Sequence, residues 1–282
     1  MLIGVFCGIA LLCGAMVCEA CGFFESFVWL AILPAAALAV FLALVALWFL
    51  LILVMSKCAD MEKEQNGDSF LYRWVIRLTV SAVIPLLGVR VHTRGFEQKL
   101  PEGRFLLVCN HLHDIDPAFL LRAFPGRQLA FIAKREVKDM AIVGPFLKMT
   151  QGQFVNREND REALKSIIKC IGLIKDDKAS VAVFPEGWIR EDRKLRPFRP
   201  GVFKIAQKAK VPVVVCTLQD THKVMPKVKK LQGADVHLHL LGIIPAEELE
   251  GVTTVDIAHR IYDMMAKDLG PELVFQECVE ST

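Results

Sequence analysis

The sequence predicts an α/β protein: a mostly parallel sheet flanked by helices, with an N-terminal transmembrane helical hairpin and an interfacial helix ahead of it. Three observations point there. From residue 89 onward, short apolar runs alternate with amphipathic stretches, the pattern of parallel strands joined by crossover helices. Residues 1–56 contain no Lys or Arg and are filled by two apolar runs. Between these regions, residues 69–87 are apolar apart from a polar residue at every fourth position. The 282 residues therefore divide into a hairpin (1–56), a linker with an amphipathic helix (57–88) and an α/β domain (89–282).

The second apolar run, residues 27–55, exceeds the length needed to cross a hydrocarbon core of about 30 Å, with room for tilt or a bend at Pro34. The first run, residues 2–18, is marginal for spanning and lacks the basic start of a secretory signal. Together they read as a hairpin with Glu19 and Glu25 near its turn. All 34 Lys and Arg follow residue 56, which predicts an integral membrane protein whose α/β domain faces the cytoplasm. A mildly basic body held at an anionic leaflet suits a membrane-surface role, and the absence of any dense basic run argues against nucleic acid. In residues 69–87 the polar stripe is Ser69, Arg73, Arg77 and Ser81. Each Arg would cost roughly 2.5–3.5 kcal/mol at a bilayer centre, so this helix is expected in the interface or beneath the domain rather than as a third span.

Five of the nine cysteines (Cys7, Cys13, Cys18, Cys21, Cys58) lie in or beside the hairpin, and Cys109, Cys170, Cys216 and Cys278 are scattered, which excludes a disulfide framework. Cys18 and Cys21 have a C-x-x-C spacing, but small apolar packing is the simpler role without a second ligand pair. In the α/β domain, strands are expected at 89–93, 105–109, 129–133, 153–156, 181–184, 213–218 and 236–241. The clearest helix is 160–175, with Leu164, Ile167, Ile168, Ile171 and Ile174 on one face. Another begins near Pro200.

Chemistry concentrates at predicted strand ends. Residues 105–108 run into Asn110-His111-Leu112-His113-Asp114-Ile115-Asp116-Pro117, a strand, polar turn and helix start. Asp116 can set the tautomer of His111 and leave its other nitrogen to take a proton. It can equally cap the helix that begins at Pro117, and a carboxylate with two oxygens can do both. A second strand ends at Arg157, a side chain suited to bidentate capture of phosphate or to a surface pair with Glu158. A third stops at Phe184-Pro185-Glu186-Gly187, where Gly permits close backbone approach and a plain turn explains the residues equally well. Val211-Pro212-Val213 reads as a buried strand. His237 and His239 share a strand face, but no third metal ligand is evident and no metal is expected.

In this order the blocks resemble the glycerolipid acyltransferase family, specifically the 1-acylglycerol-3-phosphate acyltransferases. The resemblance rests on Asn110-His111 with Asp116, Gly152 with Arg157, Phe184-Pro185-Glu186-Gly187 and Val211-Pro212, in the family's order. It extends to Lys134, Glu136 and Gly144, to Lys194-Leu195 and to Gly201-Val202-Phe203, and covers about residues 85–270. One departure stands out: the family commonly continues the third block with Thr-Arg-Ser, whereas this chain has Trp188-Ile189-Arg190.

The resemblance implies transfer of a fatty acyl group from a thioester to the free hydroxyl of 1-acylglycerol-3-phosphate, giving phosphatidic acid. His111 would be the general base oriented by Asp116. Substrate contacts would fall to Lys134, Arg157, Glu186, Gly187 and Arg190, with the acceptor phosphate against Arg157. No cofactor is implied beyond the acyl-CoA or acyl carrier protein thioester, and the other partners would be lysophospholipid and membrane lipid. Another lysophospholipid acceptor, or a non-catalytic lipid-binding role, is the alternative that Trp188 and Ile189 raise. A lipase is disfavoured because the chain has no Gly-x-Ser-x-Gly elbow.

Overall fold

The computed structural model describes residues 1–63, 65, 67–156 and 159–275. The chain begins with two antiparallel helices, α1 (Leu2–Ala20) and α2 (Trp29–Cys58), joined by a short turn. Both are long and apolar enough to cross a membrane, and their outer surfaces expose Leu, Val and Phe. Gly14 lets them approach closely: a Cβ there would lie 3.2 Å from the Leu33 carbonyl oxygen and 3.3 Å from the Ala37 nitrogen.

The α/β domain is built on β1 (Val89–Arg94), β2 (Leu106–Cys109), β3 (Leu129–Lys134), β4 (Gln153–Val155), β5 (Ser180–Val183), β6 (Val213–Gln219) and β7 (Ala234–Ile244). They form one seven-stranded sheet in the order β1-β7-β6-β2-β5-β3-β4, parallel except where β7 runs against β6. One face is covered by α3 (Phe70–Leu86), α4 (Asp116–Ala123) and α8 (Val224–Lys229), the other by α6 (Asp160–Lys175), α7 (Lys204–Ala209) and α9 (Thr254–Leu269). The short α5 (Val143–Met149) packs near α2 and α3.

This layering explains the sequence pattern. In β2 and the residue before it, Phe105, Leu107 and Cys109 enter the core under α4 while Leu106 and Val108 enter the core under α6 and α7, so a strand covered on both faces is apolar throughout. β7 instead alternates, burying Val236 and Leu238 and leaving Asp235 and His237 partly exposed, as an antiparallel strand with one uncovered face does. There His92 stacks on His237 with ring centroids 4.9 Å apart, and His239 bonds Asp268 at 2.9 Å. No group of three or more metal-binding side chains forms among the described residues.

The two arginines of the α3 stripe face the protein rather than water, while Ser81 is exposed. Arg73 is buried: its Nε and Nη2 bind the Asp68 carboxylate at 2.6 and 2.5 Å, and its nitrogens also donate to the carbonyls of Leu129 and Thr150. Arg77 donates to the carbonyls of Phe124 and Arg127. Phe70, Leu71 and Trp74 point outward. α3 runs antiparallel to the end of α2, with the Tyr72 hydroxyl on the Met55 carbonyl at 2.7 Å and Trp48 bonded to Thr79. An arginine row that grips the domain and an apolar row that faces away is the reverse of a water-facing amphipathic helix.

Candidate active site

Central β2 has β6 on one side and β5 on the other, and the residues that follow it emerge at the carboxyl end of the parallel strands. Open α/β sheets place ligands at such a switch point. Asn110 ties this exit to β6: its amide donates to the Leu218 carbonyl at 2.9 Å and its oxygen accepts from the Leu218 N–H at 2.7 Å. His111 comes next, with its Nδ1 2.8 Å from Asp116 Oδ2.

The same oxygen of Asp116 accepts the backbone N–H groups of Leu112 at 2.6 Å and His113 at 2.9 Å. Asp116 is the first residue of α4, and its side chain turns back to the preceding loop and makes no cap bond to its own helix. The carboxylate is fully buried, whereas the His111 side chain keeps 14% exposure. The His111 ring lies on Phe184, with centroids 4.1 Å apart and planes within 16°. A carboxylate holds one ring nitrogen, an aromatic face fixes the ring plane, and Nε2 is left as the nitrogen able to take a proton.

Glu186 is placed differently from the substrate contact expected of it. It is buried, and both oxygens are used by backbone: Oε1 accepts from the His111 N–H at 2.9 Å and Oε2 from the Arg196 N–H at 3.1 Å. It staples the loop after β5 to the His111 turn. Burial pushes its carboxyl up to about 7, with the nearby Asp116 charge adding to the rise and the two N–H bonds opposing it. Folded, it therefore holds a proton up to about pH 7, while unfolded it releases it near 4.5. Its contribution to stability is fully present below the lower value and is lost as pH rises through the upper one. Across that window the unfolding midpoint should fall, with a change on the order of 3 kcal/mol at most, and Glu186→Gln should flatten the slope. A pH series of thermal melts checks this, and an unchanged slope in the variant would contradict it.

Gly187 has φ +83°, and a Cβ there would sit 3.0 Å from Arg199 Nε, so the third block needs glycine for backbone geometry and for the close approach of Arg199. Lys134 ends β3 at the same end of the sheet and is exposed. Arg190 is exposed on the loop after β5. Arg157, with Glu158, lies outside the described residues, as does Cys278.

Several groups at this end lie outside the blocks on which the resemblance rests. Arg193, in a left-handed conformation at φ +55°, donates Nη1 to the Leu112 carbonyl at 2.7 Å, bracing the dyad turn from the far loop. After β6 come Thr221 and His222, whose buried Oγ1 and Nδ1 have no hydrogen-bond partner among the described residues. Burial, with Lys223 nearby, pushes the His222 imidazole down. The polar run Gln219-Asp220-Thr221-His222-Lys223 at a strand end was a usable signal, had the β2–β6 pairing been known. Beside the turn an apolar cavity of about 430 Å³ is lined by Ile132, Val155, Leu164, Ile167, Val183 and Phe184. Phe184 thus touches both the cavity and the imidazole.

Residues 89–219 match the Acyltransferase family. The chain is 31% identical over 203 residues to a protein of Mycoplasma pneumoniae named a probable 1-acyl-sn-glycerol-3-phosphate acyltransferase, covering 69% of this chain and 75% of that one. It is 26% identical over 220 residues to the 1-acyl-sn-glycerol-3-phosphate acyltransferase of Saccharomyces cerevisiae, covering 77% of this chain and 72% of that one. Its fold is similar to the crystal structure of the 1-acyl-sn-glycerophosphate acyltransferase from Thermotoga maritima, with a TM-score of 0.60 and 20% identity over 82% of this chain and 91% of that one.

Proposed function

The chain belongs to the acyltransferase family that includes the 1-acyl-sn-glycerol-3-phosphate acyltransferases, and from that premise we propose that it is a membrane-associated enzyme that acylates 1-acylglycerol-3-phosphate to phosphatidic acid. The observation that carries the reading is the His111–Asp116 contact of 2.8 Å at the carboxyl end of β2, beside an apolar cavity suited to a fatty chain.

In this reaction His111 Nε2 takes the proton of the acceptor hydroxyl as its oxygen attacks the thioester carbonyl. Asp116 stabilises the imidazolium. The new C–O bond forms as the C–S bond breaks, and the proton passes from His111 to the departing thiolate. Acceptor and donor are held together, so no acyl-enzyme is needed. Lys134, Arg157 and Arg190 are the cations proposed for the acceptor phosphate. The absence of Lys and Arg before residue 57 supports a domain on the cytoplasmic side.

Purified full-length protein given acyl-CoA or acyl carrier protein thioester should convert lysophosphatidate to phosphatidate. Lysophosphatidylcholine, a phosphodiester, should be the poorer acceptor. Preference for the phosphodiester would reassign the acceptor, and no product with either would leave a lipid-binding protein.

A further inference from the structure

A second cleft, of about 390 Å³, lies where the polypeptide leaves α2. Five lysines converge on it from four segments: Lys63 of the linker, Lys138, Lys148 of α5, and Lys165 and Lys169 of α6. Its two carboxylates already have cationic neighbours within the fold: Glu62 lies 3.3 Å from Lys138, and Glu162 lies 3.9 Å from Arg135. Among the described residues, Lys63, Lys148 and Lys165 therefore bring cationic charge that these two carboxylates do not match. Burial, with Lys138 and Lys169 adding to it, pushes the Lys148 ammonium below its ordinary range despite Asp60 and Glu62. An assembly of like charges is relieved by a bound anion.

The position of the cleft says which anion. Exposed apolar side chains run along α2 to Leu53 and Val54 and resume on α3 at Phe70 and Leu71. The intervening stretch carries the first Lys of the chain, Lys57, and its Met61, Glu62, Lys63 and Gln65 supply one wall of the cleft. On α6, exposed Leu164 and Ile168 alternate with Lys165 and Lys169. Apolar side chains interleaved with ammonium groups at the end of an apolar hairpin match the boundary between acyl chains and phosphates. We propose that this cleft seats the phosphate of an anionic phospholipid in the leaflet at which α2 ends, as a site that adjoins the apolar cavity through Ser166 but does not include His111 or Asp116.

The test is native mass spectrometry of full-length protein from neutral detergent, titrated with phosphatidylglycerol and, separately, with phosphatidylcholine. Phosphatidylglycerol should be retained saturably and phosphatidylcholine should not. The variant K63Q/K165Q, altered at two exposed side chains, should melt as the parent does and bind phosphatidylglycerol about thirtyfold more weakly, as losing two interfacial cations implies. K227Q/K229Q on α8 should bind it unchanged. Equal retention by K63Q/K165Q and the parent would overturn the proposal. So would Lys165-dependent binding of adenosine 3′,5′-bisphosphate without retention of phosphatidylglycerol, which would give the cleft to a soluble nucleotide. No turnover is read, so failure here is distinct from failure of the proposed activity.

Discussion

His111→Ala should lower turnover on lysophosphatidate by about 10²–10⁴-fold, the usual worth of a positioned general base. The acceptor Michaelis constant should change little, because the imidazole meets the proton being transferred rather than the headgroup. Stability should suffer only modestly. The ring keeps 14% exposure, and its loss removes a stacking contact with Phe184 and one bond to Asp116. Steady-state kinetics of detergent-solubilised protein, with thermal melts to normalise for folded fraction, makes the measurement. Turnover within tenfold of the parent would remove His111 from the chemistry.

Asp116→Asn should lower turnover into the same 10²–10⁴-fold range while leaving most of the fold intact, since an amide fills the same space but does not stabilise an imidazolium. Asp116→Ala should do more. It strands the N–H groups of Leu112 and His113 as well as the His111 Nδ1, and each unpaired buried group costs about 1–3 kcal/mol. The pair of variants separates two roles of one carboxylate. If Asp116→Ala lost stability alone, with full turnover in its folded fraction, Asp116 would be a turn brace and the dyad would fail.

The two readings of Asp116 could not be separated from spacing, because a helix cap and a histidine partner demand the same residue at the same place. Only the direction of the side chain distinguishes them, and it points back into the loop. Glu186 shows the converse. Its neighbours in sequence suggested a ligand-facing turn, but its partners are the N–H groups of His111 and Arg196, 75 and 10 residues away. Arg193 likewise acts on a carbonyl 81 residues distant. No local pattern encodes such long-range side-chain-to-backbone bonds, since any exposed loop carries residues of these kinds.

By itself the sequence determined the elements: the apolar hairpin, the helix of residues 70–86 and all seven strands, the last because burial on two faces demands continuous apolar runs and burial on one demands alternation. It also determined the family, through blocks whose order survives without knowledge of their contacts. Tertiary structure alone decided which way each element faces. The arginine stripe of α3 could have met water or protein, and it meets the carbonyls of Phe124, Arg127, Leu129 and Thr150, main-chain acceptors that the packed domain brings beside it. Five lysines from four segments became one cleft only when the linker, the turn carrying Lys138, α5 and α6 were brought together. Periodicity reports whether a face is buried, while the identity of what buries it is a property of the packed chain.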